Sequence, residues 1–97
     1  MIQHTVSFSL KHPAGSDAEK AFLDATLQLT EIPDVCNFKR LRQTSGKSSF
    51  QFGLSMTFAS QKEYDAYNGH PIHTTFVADR WMTEVEDFQE LDFVEYR

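Results

Sequence analysis

Alternation of apolar and polar residues marks two strands, one at the start of the chain and one in its middle. From Ile2 to Leu10, apolar residues and His4 alternate with Gln3, Thr5, Ser7 and Ser9. The stretch Phe50–Phe58 repeats the pattern with Phe50, Phe52, Leu54, Met56 and Phe58 on one face. A period of two indicates a half-buried strand. Each stretch therefore predicts a strand with one apolar face and one face of small polar residues.

A helix is predicted behind the first strand. Ser16 followed three residues later by Glu19 has the form of a capping box, which predicts a helix from about Asp17 to Thr30. Pro33 stops it shortly afterwards. The spacing of three and four residues predicts one apolar stripe facing the sheet, made of Ala21, Phe22, Ala25, Leu29 and Ile32.

The second half of the chain predicts two further helical segments. Ser60 with Glu63 is a second capping-box match, and Asn68-Gly69 is expected to end that helix with a left-handed cap. His70 is expected to be extended because it precedes a proline. Pro71 suits the first position of the next helical segment, which carries Phe76, Val77 and Trp81.

The remaining strands complete the topology. Residues 35–44 and 85–96 are predicted strands, and the polar turn over residues 43–49 makes a hairpin with the strand that follows. The order β-α-β-β-α-β predicts an α+β fold of the ferredoxin-like type, a four-stranded antiparallel sheet with helices on one face. We expect a single domain over residues 1–97. The uncovered sheet face needs a partner, so we expect a two-fold homodimer through the sheet faces.

Composition narrows the function classes. Nine Lys and Arg against fourteen Asp and Glu give a formal net charge of -5, which disfavours nucleic acid and anionic membranes as partners. No apolar run approaches the ~18 residues of a membrane span, and no signal-peptide pattern opens the chain, so a soluble, unprocessed protein is expected. The single Cys36 excludes an intrachain disulfide and a Cys-based zinc site. It fits a reducing cytoplasm, and its place in a strand predicts a buried thiol.

One motif resembles that of a known protein family. The sequence Tyr67-Asn-Gly-His70-Pro71-Ile-His73, together with the opening Ile2-Gln-His4-Thr-Val6, resembles the stress-responsive A/B barrel (Dabb) family. The supporting marks follow in the family's order: Phe58-Ala-Ser60, Phe76 followed by Trp81, and Asp92-Phe93-Val94. The resemblance spans nearly the whole chain. It implies a dimeric α+β barrel in which two four-stranded sheets face each other.

The resemblance also implies possible chemistry. Some members of the family are linked to stress resistance, and plant members similar in fold cyclise polyketides through a Tyr/His pair. Tyr67 and His73 match that pair, and His4 matches a further pocket residue. At Ala25 and Phe52 the chain departs from the cyclase pattern, since neither residue offers a hydroxyl or an imidazole.

The residues themselves point to the same constellation. His4 lies on the apolar face of its strand, so its ring is expected to point toward the helices, where Tyr67 and His73 can converge. A histidine in the first turn behind Pro71 sits in the positive field of a helix N-terminus, which lowers its pKa and favours a neutral general base. The tyrosine hydroxyl would orient a substrate carbonyl or enolate. We therefore take His4, Tyr67 and His73 as candidate catalytic residues.

Substrate contacts are expected from four neighbours of that constellation: Phe8, Phe52, Phe76 and His70. Packing explanations stay open beside the functional ones, because an imidazole on an apolar face commonly satisfies a core hydrogen bond and His70 suits a helix cap. His70 and His73 lack the glutamate and spacing of a zinc protease, and no nucleotide or phosphate loop is present. We predict no metal and no cofactor.

Two functions remain open on the sequence. The first is a dimeric protein that binds a small hydrophobic, aromatic or polyketide-like molecule without catalysis. The alternative is a cofactor-free cyclase, isomerase or monooxygenase that uses the Tyr/His pair. Either would need a cavity on the order of 300 Å³ between sheet and helices.

Overall fold

A four-stranded antiparallel sheet is the centre of the fold. The computed structural model describes all residues from Met1 to Arg97. The strands are β1 (Ile2–Leu10), β2 (Cys36–Arg42), β3 (Phe52–Phe58) and β4 (Val85–Phe93), in the sheet order β2-β3-β1-β4. All three pairings are antiparallel. The predicted ferredoxin-like α+β fold is confirmed.

Helical segments connect these strands and cover one face of the sheet. They are α1 (Asp17–Ala25), a 3-10 helix (Thr26–Glu31), α2 (Gln61–Gly69), α3 (Pro71–Phe76), a π-helical segment (Val77–Trp81) and α4 (Met82–Glu84). No helix has the length and apolar character that a bilayer crossing requires.

The core lies between the sheet and these helices. The alternation predicted for β1 and β3 is confirmed, because the apolar faces of both strands are buried. Phe8 on β1 is completely buried, with its ring centroid 5.8 Å from that of Phe22 on α1 and 5.0 Å from that of Trp81. Aromatic side chains thus join sheet and helices at this end of the core.

The first helix differs from its prediction. It ends at Ala25 rather than Thr30, and a 3-10 helix continues to Glu31. Phe22, Thr26 and Leu29 are buried while Ala21 is exposed. These three follow the spacing i, i+4, i+7, which places Ala21 beside the stripe rather than in it.

The two capping boxes have different outcomes. The Glu19 amide donates to Ser16 Oγ at 3.2 Å, as expected, whereas the Glu19 carboxylate accepts from the amide of Gly15, one residue before the cap, at 3.1 Å. Ser60 instead donates its hydroxyl to the Glu63 carboxylate and accepts no backbone amide.

The predicted left-handed cap at Gly69 was wrong. Its φ is not positive, and α2 ends where His70 is extended, with φ -68° and ψ 138°. The proline that follows disfavours helical geometry at His70, so the helix ends without a glycine cap.

The two outer strands, β2 and β4, are shorter than predicted. The prediction that Cys36 is buried was also wrong. Its thiol is exposed. Pairing between β2 and β3 shifts register between Cys36 and Lys39, where Asn37 takes a positive φ of 53°. This bulge lies on an edge strand of which only Phe38 is partly buried, so the helices leave Cys36 uncovered.

Candidate functional site

A cavity of about 200 Å³ lies between the helix-facing side of the sheet and the helices. Strands β1, β3 and β4 form its floor, and α2, α3 and the π-helical segment form most of its wall. Its lining is mostly apolar, and the residues are His4, Val6, Leu29, Leu54, Met56, Tyr67, His73, Phe76, Val77, Trp81, Met82, Phe88 and Glu90. The three residues taken as catalytic candidates, His4, Tyr67 and His73, all line this one cavity.

His4 is held by a hydrogen-bonded cluster that the sequence did not predict. Its Nδ1 lies 2.6 Å from Asp92 Oδ1, across the pairing of β1 with β4. The Tyr64 hydroxyl lies 2.9 Å from both Asp92 Oδ2 and His4 Nδ1. Because a carboxylate accepts only, both His4 Nδ1–H and the Tyr64 hydroxyl donate to Asp92. The arrangement fixes the ring of His4 and leaves its Nε2 without a partner in the chain.

Burial and charge both act on Tyr64. Burial is the largest cause that raises the pKa of the Tyr64 phenol. The Asp92 carboxylate, which accepts a hydrogen bond from the phenol, raises this pKa further. The hydroxyl therefore stays protonated and acts as a hydrogen-bond donor at neutral pH.

Tyr67 and His73 form the second pair in the cavity. Their ring centroids are 4.5 Å apart. His73 Nδ1 lies 3.0 Å from the carbonyl oxygen of Asn68, which can only accept, so Nδ1 carries the proton and Nε2 is free to accept one. Burial is the largest cause that lowers the pKa of His73, and the hydrogen bond to Asn68 partly opposes it. The direction agrees with the prediction, but its main cause is burial rather than the helix terminus.

The Tyr67 hydroxyl differs from that of Tyr64 in having no hydrogen-bond partner in the chain. The side chain is only 2% exposed, yet no buried side-chain polar atom is left unpaired. The hydroxyl oxygen therefore reaches solvent, and the cavity that Tyr67 lines provides the path. Burial raises the pKa of the Tyr67 phenol, which keeps it a proton donor to whatever occupies the cavity.

The four predicted substrate contacts are not gathered in one place. Phe76 lines the cavity, whereas Phe8 and Phe52 pack against each other elsewhere in the core with centroids 5.8 Å apart. His70 accepts the Ile72 amide through Nδ1 and so caps the start of α3. Ala25 and Phe52, where the chain departs from the cyclase pattern, do not line the cavity either.

Several residues of the site were missed because they lie on the last strand. Phe88, Glu90 and Asp92 alternate along β4 and pair with Phe8, Val6 and His4. Their spacing of two was visible in the sequence, but the face toward the helices depends on the register with β1. Tyr64 was not among the residues that the sequence predicted for the site, and its hydroxyl contacts both Asp92 on β4 and His4 on β1.

The fold and cavity define the class: a ferredoxin-like α+β protein with a mostly apolar cavity under its helices. The model of the Stress responsive A/B Barrel Domain (Dabb) family matches residues 2–95. The chain therefore belongs to this family.

Solved structures agree with this assignment. A Dabb family protein with a ferredoxin-like fold from Mesorhizobium loti is 50% identical, with a TM-score of 0.97 over 99% of this chain and 97% of that chain.

Two more distant structures share the fold. A hydroxynitrile lyase from Passiflora edulis is 15% identical, with a TM-score of 0.83 over 98% of this chain and 93% of that chain. A dimeric ferredoxin-like protein of unknown function from Thermobifida fusca is 20% identical, with a TM-score of 0.78 over 97% of this chain and 90% of that chain. No curated protein matches the sequence.

Proposed function

We propose that the protein is a single-domain homodimer whose protomers each bind one small aromatic or apolar molecule in the cavity beside Tyr67 and His73. The observation that carries this proposal is a mostly apolar cavity with a few converging polar groups, the composition typical of small-molecule sites. Its one tyrosine hydroxyl without an internal partner supplies a hydrogen-bond donor for the ligand.

Cavity size restricts the ligand. The volume of about 200 Å³ is smaller than the cavity of about 300 Å³ expected from the sequence, and it lies below the roughly 300–1,000 Å³ of sites for drug-sized molecules. A single aromatic ring with a short substituent suits this space better than an extended polyketide chain. We infer a ligand of that size.

Calorimetric titration of the protein with phenol, p-cresol and indole tests the binding. Val77 lines the cavity and Ala78 beside it is exposed and does not, so Val77→Phe and Ala78→Phe form a matched pair. We expect saturable binding that falls at least tenfold in Val77→Phe and is unchanged in Ala78→Phe. Equal binding in both variants would contradict the site, and so would no binding by wild type.

Support for the homodimer comes from the sheet face that the helices leave open. Leu41 on β2 and Leu91 and Phe93 on β4 project from this face and are 46%, 48% and 51% exposed. Small polar residues lie between them on β1 and β3. An uncovered sheet face of this kind suits a second copy related by a two-fold axis. A dimeric protein among the fold neighbours agrees with this arrangement.

Light scattering at micromolar concentration tests the dimer. We expect twice the 11.2 kDa mass of the chain for wild type and a shift toward monomer for Phe93→Glu. A monomeric wild type would remove the dimer from the proposal.

We place the protein in the cytoplasm, because one unpaired, exposed thiol suits a reducing compartment.

A second candidate function is cofactor-free acid-base catalysis, favoured by the pairing of Tyr67 with His73. A neutral His73 would take a proton from the carbon beside a carbonyl through Nε2. The electron pair of that C–H bond would move to the carbonyl oxygen, and the Tyr67 hydroxyl would donate a hydrogen bond to the resulting enolate. Return of the proton to a different carbon would isomerise the substrate. Attack of the enolate carbon on a second carbonyl of the same molecule, with the proton passing to the oxygen of that carbonyl, would cyclise it.

Exchange of the methyl protons of acetophenone in D₂O, followed by NMR, tests this chemistry. We expect exchange faster than in buffer, with losses of about 10²–10⁴-fold in His73→Gln and smaller losses in Tyr67→Phe. Exchange no faster than in buffer would speak against catalysis and leave the binding proposal standing.

A further inference from the structure

The charged groups on the cavity are unbalanced. Among its thirteen lining residues there is one carboxylate, Glu90, and no lysine or arginine. The other ionisable lining groups are the imidazoles of His4 and His73 and the phenol of Tyr67. The lowered pKa of His73 keeps its ring neutral at pH 7. Glu90 is therefore the one carboxylate on the cavity lining, and no lysine or arginine of the lining balances it.

Glu90 is placed over the cavity by the strand register. It lies opposite Val6 on β1, on the helix-facing side of the sheet, two residues from Asp92. Its side chain forms no hydrogen bond or ion pair within the chain. Burial is the largest influence on the pKa of both Tyr67 and His73, and the Glu90 charge is a smaller one that raises both pKa values; all three side chains line the cavity.

Aromatic rings surround the same space. Tyr67, Phe76, Trp81 and Phe88 all line the cavity, and the rings of Trp81 and Phe88 meet edge to face with centroids 5.6 Å apart. An organic cation is attracted to an aromatic face when it lies within about 6 Å of the ring centroid. Aromatic cages are a recurring means of binding an ammonium group.

From these observations we infer that the cavity selects a ligand carrying an organic ammonium group, with its apolar body between the aromatic rings and its cationic end at Glu90. This inference rests on the proposed small-molecule site and names the chemical class of its ligand. An anionic ligand of the same size is expected to bind more weakly, because it would approach the Glu90 carboxylate with no lysine or arginine on the lining to balance it.

Three compounds of similar size and different charge test the selection: phenethylamine, 2-phenylethanol and 3-phenylpropionate. We expect calorimetry to give the tightest binding for the amine, weaker binding for the alcohol and the weakest for the carboxylate. Glu90→Gln is expected to weaken amine binding about fivefold, the effect of a partly exposed ion pair, and to leave the alcohol within twofold. The amine's advantage also decreases as salt is raised.

Glu86→Gln is the matched control, since Glu86 and Glu90 are both exposed residues of β4 and only Glu90 lines the cavity. If the alcohol binds as tightly as the amine, or if Glu90→Gln and Glu86→Gln behave alike, the charge selection is overturned while the small-molecule site stands. If none of the three compounds binds to wild type, the site itself falls and the selection with it.

Discussion

The imidazole of His4 on the first strand lies 2.6 Å from the carboxylate of Asp92 on the last strand, although 88 positions separate them in sequence. The histidine side chain is 7% exposed and that of Asp92 is 39% exposed. The hydrogen-bond partner of the buried His4 ring therefore lies on an edge strand of the sheet. The same carboxylate accepts the Tyr64 hydroxyl, so one side chain on β4 joins β1 to α2.

Replacing Asp92 with alanine is expected to destabilise the protein. The change removes the acceptor that His4 Nδ1 and the Tyr64 hydroxyl share, so at least one of these two donors loses its partner, and such a loss costs roughly 1–3 kcal/mol. Urea unfolding measures the difference. Glu86→Ala on the same strand is the control and is expected to change the free energy of unfolding by less than about 0.5 kcal/mol. Equal effects in the two variants would show that the His4–Asp92 contact adds nothing to stability.

The two buried tyrosines are expected to respond differently when each loses its hydroxyl. Tyr64→Phe removes the hydrogen bond to Asp92, so we expect a loss of about 1 kcal/mol in the free energy of unfolding. Tyr67→Phe removes a hydroxyl that has no partner in the chain, so stability is expected to change little. Urea unfolding of both variants provides the comparison, and a larger loss in Tyr67→Phe would contradict the assignment of partners.

The pH titration of His73 is expected to lie below that of an ordinary histidine. Burial lowers its pKa from 6.5, so the unfolded chain binds a proton at this position more readily than the folded protein does. Stability contributed at this position is therefore fully present above pH 6.5 and decreases as the pH falls from there through the lowered pKa. NMR titration of the four histidines, with His73→Gln for assignment, measures it. A value at or above 6.5 would contradict the burial argument.

Glu84 is expected to make the fold sensitive to acid. Partial burial raises the pKa of this carboxyl, but hydrogen bonds from Arg80 and His12 outweigh it, and the net pKa is below 4.5. The His12 Nε2 and Arg80 Nε atoms lie 2.6 Å and 2.8 Å from the carboxylate oxygens. Because the folded-state pKa is lowered, the stabilisation is present above pH 4.5 and is lost as the pH falls through the lowered value.

Comparing wild type with Glu84→Gln in urea at several pH values tests this dependence. We expect the variant to be less stable by about 1–2 kcal/mol at pH 7 and the difference to shrink toward pH 3. Glu86→Gln, which removes an exposed carboxyl nearby, is expected to show no such trend. A difference between wild type and Glu84→Gln that is constant with pH would contradict an ionic role for Glu84.

Local pattern explains why most of the fold was predictable. Strands β1 and β3 each bury one face against the helices, so their period of two had to appear in the sequence. The first capping box and Pro71 likewise act within a few residues of themselves. The second capping box failed although its partner is equally near in sequence, because the Ser60 hydroxyl pairs with the Glu63 side chain instead of a backbone amide.

The candidate site was likewise predictable only in part. The sequence alone determined the strand carrying His4, the motif carrying Tyr67 and His73, and the helices that cover them, because each follows from periodicity or from a short motif. Only the tertiary structure decided that these three share one cavity, that Asp92 and Tyr64 hold His4, and that Glu90 faces the same space. Those contacts depend on the register of β4 against β1, and sequence periodicity alone does not fix which residues two distant strands place opposite each other.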